Sequence, residues 1–275
     1  MRRVGRRDVS VRARRNPSVV PMPMPMTTNG TRDGGGFAAL APPGVVVVET
    51  ARPHAWEDEP GLEPDTGGLA GGRVREFRIG RACARRALGQ LGLPEVSVPA
   101  GTEREPIWPP GIVGSITHSE GYAAAAVARA ADVLGLGIDV ERHVALAPGV
   151  IRRVCTPGEQ VWLDRAPDDG RHWPVIVFSA KESIYKAWYP KTGRWLGFQD
   201  VELELDAARG TFRADLPEGL RVHGWFGTTA EHVFTLAVLD AEHVVTPTTL
   251  DAEQPSARRP ANRLPLMPQG VDDPP

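Results

Sequence analysis

The sequence predicts an α+β protein of two similar halves, each a helix packed on a small antiparallel sheet, and three observations predict it. A helix-periodic segment accompanied by short strand-like runs occurs once before residue 135 and again after it. The two sets meet at a glycine-marked seam near Gly135–Gly137. The runs outside these sets are rich in Pro, Gly and Arg and cannot bury enough apolar surface to order themselves.

The elements follow in order. "GVVVVET" (44–50) is a continuous apolar run, as a buried strand requires. "VREFRIGRACARRALGQLG" carries Phe77, Ala84, Leu88 and Leu91 at helical spacing, with arginines on the other faces. "GIVGSITHSE" (111–120) is a short strand that ends in a loop. "YAAAAVARAADVLGLGIDVE" divides into two strands joined by a tight turn at Arg129–Asp132, although its alanines equally favour a helix. In "TPGEQVWL", Thr156 is placed to cap a helix, Pro157 to occupy its first position and Glu159 to close a capping box. "FSAKESIYKAWYP" (178–190) is a further helix ended by Pro190. "VELELDA", "TFRADL" and a pair across "VHGWFGTTAEHVFTLAVL" are strands.

The expected organisation is a basic, Pro-rich disordered extension at 1–36, halves at 37–135 and 136–245, and a disordered tail at 246–275. "PMPMPM" offers Met22, Met24 and Met26 as alternative starts, and the natural start is expected near Met26, with the preceding arginine run an upstream artefact. A net charge of -2 gives no global pull toward nucleic acid or membrane, and no stretch is long and apolar enough to span a bilayer. Cys83 and Cys155 lack CxxC spacing and are expected to be reduced and structural in a cytoplasmic protein.

"GIDVE" (137–141) is the unusual stretch. Residues i and i+2 of a strand share a face, so Asp139 and Glu141 aim together, away from Ile138 and Val140. Two such anions repel by roughly 1 kcal/mol at about 4 Å even in a watery setting. A divalent cation removes that repulsion, while a solvated strand face is the ordinary alternative. In the 178–190 segment, Ser179 to Glu182 fits a capping box and Glu182–Lys186 fits a surface pair. The other reading makes Glu182 a third ligand and general base, with Lys181 and Lys186 on phosphate. Thr117 and His118 end a strand where they could hydrogen-bond an anion. Arg78, Arg81 and Arg85 recur along one helical stripe, either solvated or phosphate-binding. Together these features suit phosphoryl chemistry on a nucleotide-like substrate. No GxxxxGK[ST] or GxGxxG is present.

"WPPGIVGSITHSEGYAAAAVA", "GIDVE" and "FSAKESIYKAWYPKTGRWLGF", in this order, resemble the Sfp/EntD-type 4′-phosphopantetheinyl transferases over roughly residues 70 to 240, and the actinobacterial subgroup in wording. The resemblance implies a pseudo-twofold α+β fold with coenzyme A and Mg²⁺, or Mn²⁺ in its place, in the cleft between the halves. It implies transfer of phosphopantetheine to a serine of an apo acyl or peptidyl carrier protein, with release of 3′,5′-ADP. It matches Asp139, Glu141 and Glu182 to the metal ligands, and Lys181 and Lys186 to lysines beside the pyrophosphate. Glu182 and Lys186 are the implied catalytic pair. His118 with Thr117 matches the contact to the nucleotide 3′-phosphate. Arg78, Arg81, Arg85, Arg86 and, in a loose register, Arg104 fall where basic residues meet the coenzyme. A monomer with no nucleic-acid or membrane partner is expected. Another Mg²⁺-dependent phosphoester enzyme, or a non-catalytic coenzyme A-binding protein, is the alternative.

Overall fold

The computed structural model describes residues 35–52, 72–93, 96–101 and 105–239. The expected disorder at 1–36 and 246–275, residues 35 and 36 apart, lies outside the described residues, as do Arg104 and the alternative starts.

The chain is α+β. β1 (Val46–Thr50), β2 (Ile112–Ser119) and β3 (Tyr122–Arg129) form an antiparallel sheet in the order β1-β3-β2, on which α1 (Gly72–Gln90) packs. β4 (Gly135–Arg142), β5 (Glu204–Asp206), β6 (Thr211–Asp215), β7 (Arg221–Thr228) and β8 (His232–Leu239) form a second antiparallel sheet in the order β4-β8-β7-β6-β5. Between β4 and β5 come α2 (Pro148–Val154), α3 (Pro157–Leu163) and α4 (Trp173–Thr192). The halves thus repeat one helix-on-sheet layout with three strands in one and five in the other.

The alanine run of β3 is explained by its central position. Ala123, Ala125 and Val127 meet α1, whereas Ala124, Ala126 and Ala128 enter a core shared with Leu136, Ile138, Val140, Trp225 and Phe234 of the second sheet. Small side chains on both faces let helix and sheet close in from opposite sides. A third core lies where α4 covers the second sheet with Ile176, Ile184 and Trp188. The apolar layers therefore run helix, sheet, sheet, helix.

The turn at Arg129–Asp132 joins β3 to β4 as expected, carrying the chain from one sheet to the other. Both ends of the last expected helix change. Helix α4 starts at Trp173, five residues before the expected helix, with Pro174 in its first turn where a missing N–H costs nothing. Pro190 lies inside its last turn, and the helix ends at Gly193, whose φ of 64° is the left-handed geometry that suits glycine. At the amino end, the 3-10 turn Phe37–Ala39 is held by Glu49, which accepts from Phe37 N at 2.6 Å and Tyr122 Oη at 2.7 Å. The capping box at Thr156 and Glu159 forms as expected, and Cys83 and Cys155 are buried thiols.

Candidate functional site

The site grows from the way α4 lies on β4. Along one face of β4 stand Gly135, Gly137, Asp139 and Glu141; along the facing stripe of α4 stand Ala187, Ser183 and Ser179. A Cβ on Gly137 would come 1.8 Å from Ser183 O, and one on Gly135 would come 2.6 Å from Ala187 O. The glycines therefore let the helix rest on bare strand backbone. Four residues of helix advance about 6 Å and two of strand about 6.8 Å, so the steps match and helix residues 187, 183 and 179 track strand residues 135, 137 and 139. Asp139 is thereby brought beneath the two helix turns that carry Ser179, Glu182 and Lys186.

Asp139 is 4% exposed and both its oxygens are engaged. Oδ1 accepts from Lys186 Nζ at 2.7 Å, with Thr117 Oγ1 at 3.5 Å, and Oδ2 accepts from Ser179 Oγ at 2.8 Å. Lys186 also donates to Ile138 O at 3.2 Å and Thr117 Oγ1 at 3.3 Å. Burial alone would lower the Lys186 pKa; Asp139, with Glu182 and Glu141, outweighs it, so the pKa is raised and the ammonium persists. Burial first, then repulsion from Asp139, pushes Glu141 up to about 8 and Glu182 up to about 7, with Lys186 opposing both. The three acids and one lysine thus share one electrostatic neighbourhood, in which Asp139 pairs with Lys186 and the protonated forms of Glu141 and Glu182 are favoured.

Among the described residues, no group of three or more His, Cys, Asp or Glu side chains is placed to hold a metal ion. The donor chemistry nevertheless fits a hard divalent ion: carboxylate oxygens in excess of their cationic partner, two of them holding protons an ion would displace. Asp139 Oδ1 is the oxygen Lys186 now occupies.

The other expected residues divide. Thr117 and His118 are neighbours on a strand and face opposite ways. Thr117 is turned to Asp139, Lys186 and Val140 N, so a shared phosphate contact with His118 is not what the fold provides. His118 faces α1, where Glu76 lies 3.6 Å from its Nδ1; burial lowers its pKa against the pull of Glu76. Lys181 is also corrected. Its side chain is 2% exposed, and its three ammonium hydrogens go to Glu159 at 2.7 Å, Val154 O at 2.9 Å and Phe198 O at 2.7 Å. It ties α4 to the α2–α3 region and is not free for a pyrophosphate. Ser179 is no helix cap but a mid-helix residue on Asp139, and Glu182–Lys186 belongs to the acid cluster rather than to a solvated face.

On α1, Arg81 is 4% exposed, stacks its guanidinium 4.6 Å from the Phe77 ring centre and has its pKa lowered by burial to about 10. Nε of Arg78, Nε of Arg81, Nη1 of Arg85 and Nδ1 of His118 are shielded from solvent without a hydrogen-bond partner, as is Trp108 Nε1. Arg86 is exposed and does not join these buried atoms. An unsatisfied buried donor costs about 1–3 kcal/mol, more when charged, so this group is suited to an anion. An open cavity of about 620 Å³ elsewhere, lined by Trp162, Arg213 and Trp225 among others, contains none of the acids.

Two linkages escaped the sequence reading. Ser115 Oγ and Thr117 Oγ1 accept Ile138 N and Val140 N at 3.1 and 3.2 Å, joining the two sheets by side chains where no backbone ladder exists. Thr235, opposite Asp139 on β8, completes the Ser179 contact. The alternation of hydroxyls in "GSITHS" was the only available sign of the first; nothing local marks the second.

This geometry defines an α+β protein with acids and a lysine at the junction of two sheets and a neighbouring set of buried cationic donors. Residues 70–128 match the 4′-phosphopantetheinyl transferase N-terminal domain, and residues 135–246 match the 4′-phosphopantetheinyl transferase superfamily. The chain is 50% identical over 148 residues to 4′-phosphopantetheinyl transferase Svp of Streptomyces mobaraensis, covering 52% of this chain and 59% of that protein. It is 44% identical over 151 residues to the transferase Npt of Nocardia iowensis (52% and 68% covered). It is 40% identical over 178 residues to PptT of Mycobacterium tuberculosis (62% and 78% covered). A solved holo-(acyl-carrier-protein) synthase of Bacillus anthracis, in complex with CoA (3′,5′-ADP), overlaps with a TM-score of 0.31 at 22% identity, covering 39% of this chain and 96% of that one. The assignment rests on the sequence relatives. The chain belongs to the 4′-phosphopantetheinyl transferase superfamily.

Proposed function

We propose that this protein moves the 4′-phosphopantetheine arm of coenzyme A onto a serine of an apo acyl or peptidyl carrier protein. The observation that carries the reading is that Arg78 Nε, Arg81 Nε, Arg85 Nη1 and His118 Nδ1 are shielded from solvent without a hydrogen bond, with His118 in electrostatic reach of the Asp139 and Lys186 of a seam that also holds Glu141 and Glu182. A ligand with several phosphate oxygens satisfies the first set. The two halves, 37–135 and 136–245, then hold the coenzyme and the reacting groups respectively.

Asp139, Glu141 and Glu182 are the residues to hold Mg²⁺, or Mn²⁺ in its place; the ion would supply charge neutralisation at the diphosphate. Glu182, with a pKa near neutrality, takes the proton of the carrier serine, directly or through a water. The serine oxygen then bonds to the pantetheine-bearing phosphorus as the bond to the bridging oxygen breaks, and 3′,5′-ADP leaves. Lys186, kept charged by its acidic neighbours, offsets the charge that builds on that bridge. The protein is expected to act as a cytoplasmic monomer without nucleic acid or membrane; among the described residues no helix is long and apolar enough to cross a membrane.

Incubation with coenzyme A, Mg²⁺ and an apo carrier should add the phosphopantetheine mass to the carrier. Glu182→Gln should bind coenzyme A normally and turn over on the order of a hundredfold more slowly. A protein that binds coenzyme A yet modifies none of a panel of apo carriers overturns the reading.

A further inference from the structure

The hydroxyls behind Asp139 have a direction. Asp139 Oδ2, as a carboxylate, only accepts, so the single hydrogen of Ser179 Oγ, 2.8 Å away, goes to it. That hydrogen is then unavailable to Thr235, and the Thr235 hydroxyl must be the donor in their 2.9 Å contact, sharing its hydrogen with Ser179 O at 2.8 Å. Ser179 and Thr235 are both 0% exposed, so no water substitutes for either. The pair links three elements: Thr235 of β8, in register with Asp139 of β4, and Ser179 of α4.

We propose that Thr235 and Ser179 are positioning residues for Asp139, a one-way hydroxyl chain that fixes Oδ2 and leaves Oδ1 to face Lys186 and the divalent ion. Each hydroxyl polarises the next, which strengthens the last bond to the carboxylate. Without Thr235, Ser179 can turn its hydrogen to Asp139 O, 3.4 Å away, or to a helix carbonyl, and the carboxylate is free to swing. This inference rests on the ligand role of Asp139.

The test compares Thr235→Val, which keeps the shape and loses the hydroxyl, with Thr235→Ser, which keeps the hydroxyl and loses a buried methyl. Mn²⁺ affinity of the full chain is measured from free-ion electron spin resonance, and coenzyme A affinity without metal by calorimetry. Thr235→Val should weaken Mn²⁺ about tenfold, as for other partners behind a metal ligand, and leave coenzyme A affinity unchanged. Thr235→Ser should stay near the parent, and Ser179→Ala should lose at least as much as Thr235→Val. If packing alone matters, Thr235→Ser is the worse variant and the proposal fails. Asp139→Asn separates the two layers. Lost Mn²⁺ binding there with normal Thr235→Val overturns only the hydroxyl chain, whereas unchanged Mn²⁺ binding in Asp139→Asn overturns the ligand role itself.

Discussion

Gly137→Ala tests whether bare backbone contact between α4 and β4 builds the site. The added Cβ would lie 1.8 Å from Ser183 O, 2.8 Å from Ala187 N and 2.9 Å from Ser183 C. These are backbone atoms of one helical hydrogen-bonded turn, and no rotamer relieves them. Moving the closest contact from 1.8 Å to 3.0 Å requires α4 to retreat by about 1.2 Å, an overpacking change that costs about 1–3 kcal/mol. At about 2–4 °C per kcal/mol for a chain of this size, the melting temperature should fall by roughly 2 to 12 °C. The same retreat carries Lys186 away from Asp139, now 2.7 Å apart, and a misplacement of about 1 Å costs on the order of a hundredfold in turnover. Differential scanning calorimetry and a single-carrier transfer assay read the two effects. Gly149→Ala is the control, since its Cβ would meet only Arg152 Nη2 at 4.0 Å. A Gly137→Ala protein that melts and turns over like the Gly149→Ala control would refute the reasoning.

Three other outcomes follow from named contacts. Arg81→Ala should raise the apparent KM for coenzyme A by about tenfold or more, as expected for loss of a charge-assisted contact; an unchanged KM removes the guanidinium from the ligand. Lys181→Met strands Glu159 in the core and should destabilise by about 3–5 kcal/mol, with Glu159→Gln in the same background restoring part of the loss. A Lys181→Met protein with native stability and a selectively raised coenzyme A KM would return this lysine to the phosphate. Glu141 and Glu182, raised to about 8 and about 7, hold protons in the folded metal-free chain that the unfolded chain has released. Stability without metal should therefore fall as pH rises from about 4.5 toward 8, and Mg²⁺ should raise the melting temperature more at pH 8 than at pH 6. An equal Mg²⁺ shift at both pH values would contradict the assignment of these acids.

Much of the fold was legible because the signals were local. The alternation in "GLGIDVE" placed Asp139 and Glu141 opposite Ile138 and Val140, and that is how β4 sits, acids toward α4 and apolar residues toward the first sheet. The helix stripe of Arg78, Arg81 and Arg85 was readable from its spacing. Helix α4 was read short because "HWPVIVF" has too little polar contrast to show a face: this stretch is buried nearly all round. Lys181 was assigned to phosphate because it adjoins Glu182, while its partner Glu159 sits 22 positions away with a capping box to account for it. Thr117 was grouped with His118 by adjacency, although strand geometry sends adjacent side chains to opposite faces.

By itself the sequence determined the order of the described strands, α1, α3 and the latter part of α4, though not α2, together with the shared face of the two β4 acids and the arginine stripe, since these depend on periods of two and 3.6 residues within a short segment. Only the tertiary structure decided that Gly135 and Gly137 admit a helix onto the strand, that Lys186 rather than Lys181 meets Asp139, and that Thr235 stands behind it. Those contacts depend on which distant segments share one buried space, and burial, by leaving each polar atom only its protein neighbours, assigns the partner that sequence spacing leaves open.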